Sequence, residues 1–377
     1  MRGSGYKMIN MGELFANDRI YDIPMELVPL NDREKGTAKV EKNDLLFARQ
    51  SLVLEGAGKC SIVMDVSPLT VFESHIIRVR LNQELANPLF YYYYFRSPYS
   101  PVKTIVSQCA QAGIRGSDLQ KLEVVFPPKD TQDHISKILS AYDALIENNH
   151  KQIKLLEEAV QRLYKEWFVD LRFPGYEDTA IVDGVPEGWE KATIDSRISL
   201  LSGYAFKSTQ FDSSGEFKVV TIKNVKDGEF DGSNTNRIVS IPEKMPKHCV
   251  LADGDILLSL TGNVGRTCIV NGNNYLLNQR VAKLQSDIPA FTYCLFRSND
   301  MFDAMNNLAN GAAQQNLSPI RTGKIMILFP ADNLLEEFER IVGSMISKML
   351  SLRKQCDLLI QSRDRLLPKL MNGEIEV

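Results

Sequence analysis

Arginine, asparagine and glutamine can hold guanine or adenine edges through paired hydrogen bonds, and lysine, serine and threonine suit phosphate oxygens. Residues of these types recur in this chain at loop positions beside strand-like runs. In the second half they are Lys207, Lys223, Asn224, Thr261, Asn263, Arg266, Asn278, Gln279, Arg280, Gln314, Gln315 and Asn316. In the first half they are Lys7, Asn10, Arg49, Gln50, Ser74, His75, Gln111 and Arg115. Polar residues fill loops in any protein, so each position taken singly is explained as well by solvation as by binding. As a group that differs in identity at matching places, they point to two readers of different base sequences.

Other chemistry is weakly represented. Asn87-Pro88-Leu89-Phe90 approaches the Asn-Pro-Pro-Tyr/Phe loop of amino-methyltransferases, but the second proline is missing and Tyr91 to Tyr94 continue as a helix. No glycine-rich loop is followed by the acidic residue that would hold a cofactor ribose. The stretch reads instead as a helix start, with asparagine as N-cap and proline in the first turn. Gly262-Asn-Val-Gly265 lacks the lysine and serine/threonine of a phosphate loop and reads as a hairpin turn followed by Arg266. The six cysteines never form a CxxC pair and the four histidines lie far apart, so neither structural zinc nor a disulfide framework is expected. His248-Cys249 reads as loop and strand-edge chemistry. A duplicated enzyme would repeat its catalytic set, and no such set recurs here, so binding is the expected class.

Forty-four basic residues against forty-seven acidic ones leave a net charge of −3. A free-standing nucleic-acid binder usually carries a basic excess. The balance fits a protein that binds through two local patches, or one whose partners supply most phosphate contacts. No apolar run reaches the ~18 residues of a membrane span and no charged-then-apolar leader is present, so the expected location is the cytoplasm, with no membrane partner.

The elements that must position these residues are repeated. Lys42-Asn-Asp-Leu-Leu-Phe-Ala-Arg matches Asp253-Gly-Asp-Ile-Leu-Leu-Ser-Leu, placing Asp44 on Asp255, and each is followed by a strand, Cys60-Ser-Ile-Val and Cys268-Ile-Val. Phe95-Arg-Ser-Pro then matches Phe296-Arg-Ser-Asn, Gln111-Ala-Gly-Ile matches Gln314-Gln-Asn-Leu, and Phe126-Pro127 matches Phe329-Pro330. The resulting organisation is a first mixed α/β unit over 1–127, a long helix over 128–171, a Gly/Pro-rich linker over 172–187, a second unit over 188–330, and a second long helix with a tail over 331–377. Each unit is expected to hold a core strand at Asp44 or Asp255, a helix (87–109 or 288–308), and a closing strand (122–126 or 325–329). The second unit opens through Gly184-Val-Pro-Glu-Gly-Trp189 and Leu201-Ser-Gly-Tyr-Ala-Phe-Lys207, for which the first has no counterpart. The first unit is therefore expected to lack one or two strands.

Both helices carry one apolar register. Steps of seven give Ile135, Tyr142, Asn149, Leu156 and Leu163 in the first, and Phe338, Met345, Leu352, Leu359 and Leu366 in the second. That is a coiled-coil seam. Each helix would be roughly 60 Å long at ~1.5 Å per residue, too long for one small domain to cover, so the natural partner of each is the other. Asn149, opposite Leu352 in the repeat, is either a buried polar residue that fixes register or a solvent-facing one where the stripe drifts.

Four segments carry a family resemblance: Leu163-Tyr-Lys-Glu-Trp-Phe-Val-Asp, Val185-Pro-Glu-Gly-Trp, Gly203-Tyr-Ala-Phe-Lys-Ser and Leu366-Leu-Pro-Lys-Leu-Met-Asn-Gly-Glu-Ile. The chain resembles the specificity subunit of type I restriction-modification enzymes over essentially its whole length, except for the tryptophan-containing start of the first domain. The resemblance implies an α+β (mixed α/β) fold: two target-recognition domains separated by two long antiparallel coiled-coil helices, in a pseudo-two-fold internal repeat. It implies a non-catalytic chain whose domains each read one half of a bipartite double-stranded DNA site. The helices would set the spacer and dock two methyltransferase subunits, to which restriction/translocase subunits are added. No cofactor or metal is expected in this chain; S-adenosylmethionine, ATP and Mg2+ belong to the partners. The competing readings are a self-contained adenine methyltransferase and a coiled-coil scaffold.

Overall fold

A computed structural model describes residues 3–108, 112–309 and 315–377. The chain forms two compact units, Met1–Ile146 with Leu358–Val377, and Glu147–Asp357. Unit 1 runs β1 (Tyr6–Ile9), α1 (Met11–Ala16), β2 (Arg19–Ile20), β3 (Glu26–Val28), α2 (Asp32–Ala38), β4 (Leu45–Ala48), β5 (Gln50–Ser51), β6 (Cys60–Val63), β7 (Val71–Phe72), β8 (Ile76–Val79), α3 (Pro88–Arg96), β9 (Ser107–Gln108), β10 (Ala112–Gly113) and α4 (Gly116–Leu119). It also holds the first part of α5 (Lys129–Tyr164). Its main sheet has the order β2-β6-β4-β8, with β4 antiparallel to both neighbours.

Alternation along a strand sends successive side chains to opposite faces. Leu45 and Phe47 of β4 join Ile62 and the aromatic run of α3, packed with Ile135 and Leu139 of α5. Leu46 and Ala48 pack on the other side with Ile9, Leu14 and Ile20. Both faces are covered, which is why the strand reads as an unbroken apolar run.

Unit 2 continues with β11 (Ile181–Val182), β12 (Val185–Pro186), β13 (Glu190–Thr193), β14 (Ser199–Ser202), β15 (Phe217–Val220), β16 (Asn236–Ile238), β17 (Val250–Leu251), β18 (Ile256–Ser259), β19 (Thr267–Ile269), β20 (Tyr275–Leu277), β21 (Val281–Gln285), α6 (Pro289–Phe296), α7 (Asn299–Ala309), α8 (Pro319–Gly323), β22 (Met326–Phe329) and α9 (Asp332–Met371). Its sheets are β14-β21-β18-β19, β16-β15-β20-β17 and the pairs β11-β12 and β13-β22. Here β18 plays the part of β4. Ile256 and Leu258 face the helical side, and Leu257 faces the second sheet.

The repeat extends to turn chemistry. The Asp44 carboxylate accepts the Glu41 N–H at 2.7 Å, and that of Asp255 accepts the Ala252 N–H at 2.8 Å. Asn43 and Gly254 turn the chain at φ +73° and +93°, and their N–H groups donate to Val63 O (2.8 Å) and Val270 O (3.0 Å). Each carboxylate, buried at Asp44 and half-buried at Asp255, also takes a cation, Arg80 at 2.7 Å or Lys283 at 2.8 Å.

The long helices pair antiparallel within each unit. In unit 1, Ile135 and Leu139 share a core with Leu366 and Leu370, and Arg363 reaches Asp143 at 2.5 Å. In unit 2, the Asn149 side chain donates to that of Gln355 at 3.4 Å, and Tyr164 and Trp167 place their rings 6.3 and 5.7 Å from Phe338. Seam positions Ile135, Phe338 and Leu352 are buried; Tyr142, Leu156, Leu163, Met345, Leu359 and Leu366 are half-buried. Asn149 is 7% exposed, so it is the buried polar member of the seam.

Three expectations are corrected. The helix expected over 87–109 stops at Arg96, where Pro98 and Pro101 follow within a few residues. The one expected over 288–308 divides at Ser298, whose hydroxyl accepts the Met301 N–H at 3.3 Å and starts α7. The closing strand expected at 122–126 has no strand partner among the described residues, whereas its counterpart β22 pairs with β13. That partner strand, β13, is supplied by the opening stretch of unit 2, and its register sets Glu190 opposite Phe329.

Asp44→Ala removes an acceptor that is 1% exposed and strands its donors. It should cost about 1.5–3 kcal/mol in urea unfolding, and Asp44→Asn, which keeps an oxygen for Glu41, should recover part of that loss.

Candidate nucleic-acid interface

In unit 2, three connections meet at one main-chain residue. Leu260, just after β18, donates its N–H to Arg280 O at 3.0 Å and accepts the Leu317 N–H at 2.7 Å. Beside it Thr261 bridges to Asn316. The first connection is the 260–266 hairpin, where Gly262 and Gly265 take φ +72° and +81°, a region that costs a side chain strain. Ser259 shapes its interior: its hydroxyl donates to Asn263 O and accepts the Arg266 N–H at 3.0 Å. Val264 is buried and pins the tip, leaving Asn263 exposed and Arg266 half-buried.

The second connection, 278–280, is fixed by Asn278 N–H to Val220 O (3.1 Å) and Gln279 N–H to Tyr204 O (3.0 Å). The Asn278 side chain accepts the Arg280 N–H at 3.3 Å. Gly203 lies so close that a Cβ there would stand 2.2 Å from Asn278 O, which explains the glycine in the Gly203-Tyr-Ala-Phe motif. The third connection leads into Leu317, with Gln315 and Asn316 exposed.

Thr261, Asn263, Arg266, Asn278, Gln279, Arg280, Gln315 and Asn316 are thereby gathered at one end of the sheet. Exposed Lys223 follows Ile222, whose Cδ1 lies 3.1 Å from where a Cβ on Gly262 would stand. Exposed Lys207 lies shortly after Tyr204, and its N–H donates to the Gln210 side chain at 2.8 Å. Arg266 faces the carboxylate of Asp227, which burial pushes up in pKa and the Arg266 charge pulls back down.

Unit 1 repeats this junction with other side chains. Arg49, just after β4, donates its N–H to His75 O at 2.9 Å and accepts the Ile114 N–H at 3.0 Å. Gln50 pairs with Gly113, as Thr261 does with Asn316. The Arg49 guanidinium also reaches Ser74 O at 3.3 Å. Arg49, Gln50, Ser74, His75 and Arg115 are all exposed and are brought together. His75 lies 3.6 Å from Glu73.

The structure removes two expected residues from the readers. Asn224 is 2% exposed. Its oxygen accepts from Thr221 N–H (2.8 Å) and hydroxyl (3.0 Å), and its amide donates to Asp231 O (2.8 Å) and Ser233 O (3.2 Å). With every hydrogen-bonding direction taken, it is a loop staple. Asn10 caps α1, accepting the Gly12 N–H at 2.7 Å, with Glu13 closing the capping box. Its oxygen is therefore not free for a bidentate base contact. Lys7 pairs with Asp22 at 2.6 Å. Gln111 and Gln314 lie outside the described residues.

Two positioning residues were missed, Ser259 and Tyr204. The signal for the first was a polar residue closing an apolar strand, and for the second the glycine before it. Asn87 is an N-cap as expected, accepting Leu89 N–H at 2.9 Å. Burial raises the thiols of Cys60, Cys268 and Cys294, which keeps them protonated. No metal-holding group of histidine, cysteine or carboxylate residues occurs among the described residues, and none of their helices is long and apolar enough to cross a membrane.

Residues 2–158 and 186–333 match the type I restriction modification DNA specificity domain. The chain belongs to this family. Among its relatives is the type I restriction enzyme MjaIX specificity subunit of Methanocaldococcus jannaschii, 24% identical over 347 residues, covering 88% of this chain and 79% of the relative. The HindI specificity subunit of Haemophilus influenzae is 22% identical over 437 residues, covering 97% and 94%. The crystal structure of the type I restriction-modification S subunit from M. genitalium superposes with a TM-score of 0.56 at 17% identity, covering 98% and 89%. The fold is thus that of a specificity subunit, with two copies of one domain where the sequence repeats. In a type I restriction-modification complex such a chain supplies DNA specificity and no catalytic step of its own.

Two substitutions separate reader from staple. Arg266→Ala should lower DNA affinity by about 1–3 kcal/mol at one base position in a competition assay; a uniform loss over all sequences would make it a phosphate contact. Asn224→Ala should lower stability by about 1–3 kcal/mol and leave base preference unchanged.

Proposed function

We propose that the two units each read one half of a bipartite DNA site, with the clustered loops after β4 and β18 facing the bases. What supports this reading is the shared junction. Arg49 and Leu260 make the same two main-chain hydrogen bonds, yet the side chains around them differ: His75 stands where unit 2 has Arg280, and Gln50 where it has Thr261. One scaffold carrying two side-chain sets suits two half-sites of different sequence.

In this reading α5 and α9 set the spacer, and their outer faces and ends dock two methyltransferase subunits. Those subunits carry S-adenosylmethionine and act on adenine N6 after flipping the base. Restriction/translocase subunits bring ATP and Mg2+ for cleavage. A net charge of −3 accords with a DNA clamp to which the partners contribute much of the positive charge.

A heptad inserted into both helices keeps the seam in register. Assayed with methyltransferase subunits by mapping methylated adenines, it should lengthen the spacer and leave both half-sites intact. Altered half-sites would sink the ruler reading. Methyl transfer by the purified chain alone would favour a self-contained enzyme.

A further inference from the structure

The loop that carries Arg49 and Gln50 has a counterpart in unit 2, and the two close in the same way. In unit 1, Gly58 donates its N–H to Ala48 O and Ala48 donates to Lys59 O, both at 2.9 Å. In unit 2, Gly265 donates to Ser259 O at 3.0 Å and Ser259 to Arg266 O at 2.9 Å. Gly58 and Gly265 take φ +73° and +81°, and the residues before them, Ala57 and Val264, are both buried. Loop 49–57 therefore stands where 260–264 stands, on a longer span of chain.

The two tips differ in chemistry. The shorter loop turns its apolar residue, Val264, inward and shows Asn263. The longer one shows Leu52, Val53 and Leu54, which are 89%, 59% and 47% exposed. Hydrogen bonds within the loop fix its shape. The Ser51 hydroxyl accepts the Val53 N–H at 3.2 Å, and the N–H groups of Gly56 and Ala57 donate to Val53 O (3.2 Å) and Leu54 O (3.3 Å). A Cβ on buried Gly56 would stand 2.2 Å from the Ser51 Oγ, so the chain crosses itself at glycine and leaves the apolar tip outside.

A contiguous run of exposed apolar residues marks a contact surface, and the position of this one indicates what it meets. Leu52 lies two residues past Gln50, a spacing that shares one side of an extended chain. Exposed Arg49, Gln50, His75 and Arg115 stand at the same end of the sheet, and the only acid in the loop is Glu55. In the major groove the apolar feature of a base edge is the C5-methyl group of thymine, and the adenine paired with it presents the N6 and N7 atoms that suit glutamine. We propose that Leu52 and Val53 read the methyl group of a thymine in the half-site of unit 1, with Gln50 beside them suited to adenine. The proposal rests on the reading that the loops after β4 and β18 face the bases, and it adds the feature that the unit 1 tip selects.

The test uses the full chain, assembled with methyltransferase subunits, and a duplex selected from a random pool. Each thymine of the selected site is replaced in turn by deoxyuridine, which removes the methyl group and keeps every hydrogen-bonding group. Affinity should fall about fourfold, the worth of one buried methyl-sized group, at one or more positions confined to one half-site. The double variant Leu52→Ala, Val53→Ala, altered only at exposed positions, should keep its melting temperature and bind the thymine and deoxyuridine duplexes equally. Equal binding of the two duplexes by the unaltered chain, or a thymine preference that survives in the double variant, overturns the proposal. So does an equal loss on both duplexes in the double variant, which would make the tip a stacking wedge or a protein contact. A pool that yields no selected sequence overturns the base-reading assignment itself, and this proposal with it.

Discussion

The central strands β4 and β18 are buried on both faces, and the rest of each unit follows from that constraint. A strand covered on both sides can carry no polar side chain without a partner, so recognition chemistry is pushed to its ends. At the start, Asp44 and Asp255 fold back on the preceding turn and neutralise a cation. At the finish, the next residue uses its amide and carbonyl to hold two further connections. The polar loops are therefore held by the ends of the buried core strands.

Much of this was legible in the sequence because it depends on local pattern. The Asp44/Asp255 repeat, the strands that follow it and the seam of α5 and α9 all announced themselves through apolar periodicity and turn residues. The interrupted helices were less visible, since their breaks depend on a hydroxyl at Ser298 and on prolines beyond Arg96. The unpaired state of 122–126 could not be read locally. Its residues have strand character, but a strand requires a neighbour, and pairing is a property of distant sequence.

Site residues were legible as a group and less so one by one. Loop position and residue type picked out residues that the fold brings together, because loops at the ends of adjacent strands converge. They did not separate Asn263, exposed at a hairpin tip, from Asn224, buried with all its hydrogen bonds filled. Both are asparagines beside strands. The difference lies in whether the loop turns outward or closes on itself, and composition does not encode that.

The junctions at Arg49 and Leu260 are made by main-chain atoms, so their geometry is indifferent to the side chain present. An arginine occupies one and a leucine the other without altering either hydrogen bond. On the proposed reading, architecture and base preference are thereby decoupled. Exposed loop residues can be exchanged with little penalty to folding, so such a protein can acquire a new target by surface substitution while its framework stays fixed.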